Sequence, residues 1–110
     1  MCNAEEHLQN AKALLSSYSA KTKWLILTSN IASKIIPNEL DFVYIDGNHS
    51  FTNVTEDILL YYPKVKNGGV IGGHDFCAYE LGVVNAVLNF VQKNNLTLFG
   101  DLDDWWIIKK

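Results

Sequence analysis

The chain has 110 residues, 48% of them hydrophobic and 19% charged, a composition that fits one globular domain and excludes a disordered tail or a fibre. Single domains run from about 50 to about 250 residues, so two do not fit. Twelve acidic residues against nine basic ones give a formal net charge of −3, and all nine bases are lysines; without arginine forks to grip phosphates, a nucleic-acid surface is not expected.

No apolar run approaches the roughly 20 residues of a membrane span. The opening Met1-Cys2-Asn3-Ala4-Glu5-Glu6 has neither the basic nor the apolar region of a secretory leader. A cytoplasmic protein is therefore expected, with Cys2 and Cys77 as free thiols.

In chain order, Asn3 is placed to cap a helix, with Glu6 completing a capping box. Ala4, Leu8, Ala11, Leu15 and Tyr18 then share one helical face. Trp24-Leu25-Ile26-Leu27 reads as a strand buried on both faces, and Leu40 to Ile45 as a second. A brief helical turn over 31–36 lies between them, ahead of Pro37. Phe51, Val54, Ile58, Tyr61 and Val65 follow helical spacing, with Thr52 or Asn53 as cap and Pro63 ending or kinking the helix. Val70-Ile71 forms a short third strand. Val83, Val84, Val87, Phe90 and Val91 mark another helix, closed by Lys93 and Asn94-Asn95. Leu96 to Phe99 and Trp105 to Ile108, joined by a five-residue turn, predict an antiparallel hairpin.

Strands alternating with helices predict a single α/β domain over 1–110, a three-layer sandwich with a mostly parallel sheet of about five strands and a C-terminal antiparallel hairpin. In such sheets ligands gather beyond the carboxyl ends of the strands. Those exits carry Thr28-Ser29-Asn30, Asp46-Gly47-Asn48-His49-Ser50 and Gly72-Gly73-His74-Asp75-Phe76, whereas the opposite edge offers only Lys23, Glu39 and Asn67. Asp46, His49, His74 and Asp75 are thus the candidate site.

Each has a bland reading. Asp46 can cap a turn, His49 can cap the next helix or pack on Tyr62, and His74 and Asp75 can bond to backbone. Two acid–histidine pairings at successive exits, in a chain with three histidines, weigh against coincidence. The third, His7, reads as a solvated helix residue. Two carboxylates suit Mg²⁺ or Mn²⁺, and a histidine tilts the choice toward Mn²⁺, Fe²⁺ or Zn²⁺. Without a metal, His49 or His74 can serve as a general base.

The stretch Leu40-Asp41-Phe42-Val43-Tyr44-Ile45-Asp46-Gly47-Asn48-His49-Ser50-Phe51, followed after a helix by Lys66-Asn67-Gly68-Gly69-Val70-Ile71-Gly72-Gly73-His74-Asp75-Phe76, resembles class I S-adenosylmethionine-dependent methyltransferases. The resemblance is to the branch with D-G-x-H-[ST]-[FY] after the fourth strand and G-G-x-[IL]-x-x-H-D after the fifth. It implies a partial Rossmann-like fold, an acid at Asp46 beside the methyl donor and substrate, and S-adenosylmethionine near Ser29, Asn30 and Asp46. By the same resemblance Asp46, His74 and Asp75 would be metal ligands for Mg²⁺ or Mn²⁺, although relatives usually show Asp followed by Asn or Asp where His74-Asp75 stands. Asp46 and His49 would be the catalytic pair.

The family's glycine-rich G-x-G-x-G turn does not occur in these 110 residues, and glycines are needed there for close approach to the ligand. The chain reads as the C-terminal portion of the fold, short by a β-α-β unit of roughly 30 residues or more. Its expected function is O-methyl transfer to a small molecule, metal-assisted or not, by an enzyme or a truncated derivative. The alternative is a non-catalytic module that folds or forms a homo-oligomer through an exposed sheet edge without binding the cofactor. A receiver- or flavodoxin-like binding protein rests on fold class alone.

Overall fold

The computed structural model describes residues 4–110, so Asn3 as a cap and Cys2 as a thiol lie outside the described residues. Helix α1 spans Ala4–Leu14 and is followed by a 3₁₀ turn over Ser16–Lys21. Tyr18 thus falls in that turn rather than in the first helix. A short helix α2, Ser29–Ser33, is capped by Thr28, whose hydroxyl accepts from the Ile31 amide.

Strand β1, Leu40–Ile45, leads into helix α3, Phe51–Tyr61. The cap is Ser50, not Thr52 or Asn53, and its hydroxyl accepts from the Asn53 amide at 3.2 Å. Pro63 ends the helix by turning it into a 3₁₀ segment, Tyr62–Lys64. Strand β2, Val65–Gly73, is far longer than Val70-Ile71. Helix α4, Leu81–Lys93, runs back to the C-terminal strands β3, Phe99–Asp101, and β4, Asp104–Ile108.

The sheet order is β1-β2-β4-β3, with β1 and β2 parallel and the remaining pairs antiparallel. The C-terminal hairpin is as expected, but its turn shortens to Leu102-Asp103, with Leu102 at φ 55. Four strands replace the expected five, because Trp24–Leu27 takes no place in the sheet. The Trp24 ring is met instead by the Lys12 ammonium, 5.9 Å from its centroid. No strand pairs with the outer edge of β1 among the described residues.

Alternation along the strands sorts side chains onto two faces. Ile71, Trp105 and Ile107 are buried with Val54 and Ile58 of α3 and Val83, Ala86 and Val87 of α4, and this is the core. The other face carries Phe42, Tyr44 and Trp106 over a hollow of about 450 Å³. Phe42 is 58% exposed there, at the place where a three-layer sandwich would put its third layer. The parallel pair β1-β2, with α3 between them, brings their carboxyl ends side by side, and the start of α4 closes over the same end.

Candidate functional site

Asp46 follows the last residue of β1, and His74 and Asp75 follow the last residue of β2. Parallel pairing puts Ile45 opposite Gly73, and the His74 amide donates to the Ile45 carbonyl. Residues 46 and 74–75 therefore emerge together. His49 is delivered by the tight loop 46–50, pinned where the Ser50 amide donates to Asn48 Oδ1.

Asp75 sits at φ 63, a left-handed conformation that short polar side chains tolerate. Its Oδ2 lies 2.7 Å from His49 Nε2, and its Oδ1 lies 3.8 Å from His74 Nε2. His49 Nδ1 lies 3.2 Å from Glu80 Oε1, just before α4. So His49 is engaged by acids rather than capping α3. Ligand atoms of Asp46, His49 and Asp75 all fall within 4.8 Å of one another. A cavity of about 10 Å³ opens between Asp46, His49, His74 and Asp75, close to the least volume that holds one water.

His74 turns one of its ring nitrogens away from this group. Its Nδ1 is 2.9 Å from Asp104 Oδ1, the same oxygen that accepts from the Tyr44 hydroxyl at 2.7 Å. The bond to Asp104, opposed by desolvation and reinforced by the charges of Asp75, Asp104 and Asp46, raises the His74 pKa above its ordinary 6.5. Tyr44 is pushed up to about 12, first by its bond to Asp104. Bonds from Tyr44 and His74 hold the Asp104 carboxyl below the usual carboxylate range.

On the far side of Asp46 lies a cleft of about 280 Å³ lined by Ser29, Gly47, Asp57 and Tyr61. It adjoins a hollow of about 320 Å³ that adds Asn30, Asn48 and Glu56. Tyr61 donates to the Ser29 carbonyl at 2.8 Å. Burial raises the Asp57 pKa, opposed by a bond from Ser29. Of the six residues singled out in the sequence, Asp46, His49, His74 and Asp75 converge on one end, while Ser29 and Asn30 stand beyond Asp46 at the neighbouring clefts. His7 is exposed on α1, and Cys77 is a half-buried free thiol.

Glu80, Asp104, Tyr44 and Asp57 join the site without having been singled out. For Asp104 a signal existed. Antiparallel pairing sets Gly72 opposite Trp106 and Gly73 opposite Trp105, so the next step of that ladder sets His74 opposite Asp104. Reading it needed the register, which depends on the pairing itself.

The fold is that of a methyltransferase-like Rossmann domain. A family described as methyltransferase domain matches residues 2–76, and the chain belongs to that family. An uncharacterized protein of Acanthamoeba polyphaga mimivirus is 41% identical over 45 residues, which are 41% of this chain and 20% of that protein. A crystal structure of a Corynebacterium glutamicum protein superposes with a TM-score of 0.75 at 13% identity, over 96% of this chain and 56% of that one. The O-methyltransferase NovP superposes with a TM-score of 0.53 at 19% identity, over 64% of this chain and 31% of its own. The chain thus spans about half, or less, of the length of these relatives. Among the described residues no helix is long and apolar enough to cross a membrane.

Proposed function

We propose that this protein takes part in methyl transfer from S-adenosylmethionine to a hydroxyl of a small molecule, and that its strand exits form the acceptor side of the site. The observation that carries this reading is the convergence of Asp46, His49 and Asp75 within 4.8 Å at adjoining strand ends, in a chain of the methyltransferase domain family. In the transfer, the methyl carbon leaves sulfur and bonds to the acceptor oxygen, whose proton must be removed. In the absence of a cation, His49, between Asp75 and Glu80, is the group placed to receive it.

Two carboxylates and an imidazole form a donor set that fits Mn²⁺, Fe²⁺ or Zn²⁺, and Mg²⁺ less well. A divalent cation would supply acidity to the acceptor hydroxyl. Asp46, His49 and Asp75 would hold it, with His74 facing them across Asp75. For S-adenosylmethionine the fit is partial. Ser29, Asp46 and Asp57 line a polar cleft with hydrogen-bonding groups suited to ribose or amine, whereas no G-x-G-x-G turn occurs in the 110 residues.

Calorimetry with S-adenosylmethionine and its demethylated product tests the donor, and no binding up to millimolar concentration would overturn cofactor use by this chain. Mn²⁺ titration tests the cation. Asp75→Ala is expected to weaken Mn²⁺ binding while the circular dichroism spectrum stays unchanged; equal affinity in the variant would overturn the cation assignment.

The outer edge of β1, with which no strand pairs among the described residues, favours a second reading, a non-catalytic module that associates with another copy through that edge. Light scattering decides it, since a strict monomer at all concentrations removes the association.

A further inference from the structure

We infer that Asp104, braced by Tyr44, is a positioning residue that fixes the tautomer of His74 and turns its Nε2 toward Asp75. The inference rests on the reading of Asp46, His49 and Asp75 as a cation site, which it extends to a fourth donor and to the carboxylate behind it.

The geometry begins at Asp104 Oδ1, which lies 2.7 Å from the Tyr44 hydroxyl and 2.9 Å from His74 Nδ1. An ionised carboxylate has no proton to give, so the proton in the second contact must sit on His74 Nδ1. The Tyr44 hydroxyl donates to the same oxygen, so Oδ1 is the acceptor in both contacts. In neutral imidazole only one nitrogen carries hydrogen. With Nδ1 protonated, Nε2 is left bare, and it lies 3.8 Å from Asp75 Oδ1.

A bare imidazole nitrogen beside a carboxylate oxygen is an arrangement that calls for a cation between or beside them. The general pattern at metal sites is a ligating histidine that donates its other N–H to a carboxylate, which sets both tautomer and ring orientation. Asp104 stands in that relation to His74.

The fold builds the brace across three strands. Tyr44 of β1 lies opposite Gly72 of β2, and Gly72 lies opposite Trp106 of β4. Glycine at 72 leaves no side chain between Tyr44 and β4, so the phenol crosses the central strand to reach Asp104. A Cβ at Gly72 would also stand 2.4 Å from the Trp105 carbonyl oxygen, and the sheet therefore keeps that passage open. Asp104 has its own anchor in the hairpin, since it pairs with Asp101 on β3 and the neighbouring Asp103 carbonyl accepts from the Phe76 amide.

The test is ¹⁵N NMR of the histidine ring nitrogens in the full chain, above the titration midpoint of His74 and without metal, with Mn²⁺ titration followed by electron paramagnetic resonance in parallel. The parent should show His74 protonated at Nδ1. Asp104→Ala should shift His74 to the Nε2–H form favoured in solution, whereas Asp104→Asn, whose amide oxygen still accepts, should retain Nδ1–H. A merely structural role for Asp104 would not produce that split.

Parent His74 in the Nε2–H form, or Nδ1–H surviving in Asp104→Ala, would overturn the inference. Should the alanine variant not fold, the parent tautomer alone decides. Mn²⁺ affinity is expected to fall about 10- to 100-fold in Asp104→Ala, as for other residues behind a metal ligand; unchanged affinity would overturn the role of Asp104 at the cation site. A parent that binds no Mn²⁺ would instead refute the cation reading, and the tautomer result would still judge the positioning by Asp104.

Discussion

Asp104 Oδ1 receives two donors at once, and the consequence for His74 is measurable. Because the bond to Asp104 raises the folded-state pKa of His74 above 6.5, the pairing stabilises the fold fully below that value. The contribution fades as pH rises through the folded midpoint. A proton NMR titration should place that midpoint above 6.5, and Asp104→Ala should bring it down by removing the bond that is its largest cause. A parent midpoint at or below 6.5 would contradict the assignment. Asp46, His49, His74 and Asp75 were legible as candidates because they sit at strand exits, a property of local order. Their division of labour was not legible. His49 completes the closest set with Asp46 and Asp75, while Nδ1 of His74 is held by Asp104 from a strand thirty residues further on.

At the level of elements, the site depends on how closely α4 approaches the loop that bears His49. A Cβ at Gly82 would lie 2.6 Å from the His49 carbonyl oxygen and 2.9 Å from the Phe51 nitrogen, so the start of α4 lies directly on the start of α3. Gly82→Ala must push the two apart. It is expected to cost about 1–3 kcal/mol, the usual penalty of overpacking, and to disturb the contact of His49 with Glu80. Urea denaturation measures the first effect and the His49 ring chemical shifts the second; an unchanged midpoint would show that the helices can separate freely.

Element boundaries show why spacing sufficed for some segments and not for others. α3 and α4 repeat apolar residues at helical intervals, so their cores were readable. β2 was not, because Lys66-Asn67-Gly68-Gly69 has no strand pattern. Those residues are held in the strand by pairing with the chain end, where the Gly68 amide donates to the Lys109 carbonyl and the Lys109 amide to the Gly69 carbonyl, while on the other side they span a register shift against β1 with Gly68 at φ 85. Pairing outweighed propensity there. Trp24–Leu27 is the converse case, a run with strand composition that pairs with no strand among the described residues.

Across the whole molecule, the sheet has two unlike faces. Ile71 is 0% exposed under α3 and α4, whereas Phe42, on the other face of the same sheet, is 58% exposed. Ile71→Ala should therefore cost about 2–5 kcal/mol, the range for a large aliphatic side chain removed from a core. Phe42→Ala should cost much less, since little surface is withdrawn from water at that site. Denaturant midpoints of the two variants compare them directly, and equal losses would mean that Phe42 is covered in solution.

By itself the sequence determined the α/β alternation, the C-terminal hairpin and the strand ends that carry the acids and histidines, since apolar spacing and turn residues act over a few neighbouring positions. The four-strand order, the exposed face and the partner of each histidine were decided only by the tertiary structure. Strand register brings Tyr44, His74 and Asp104 together, and no local pattern encodes a contact made between three separate strands.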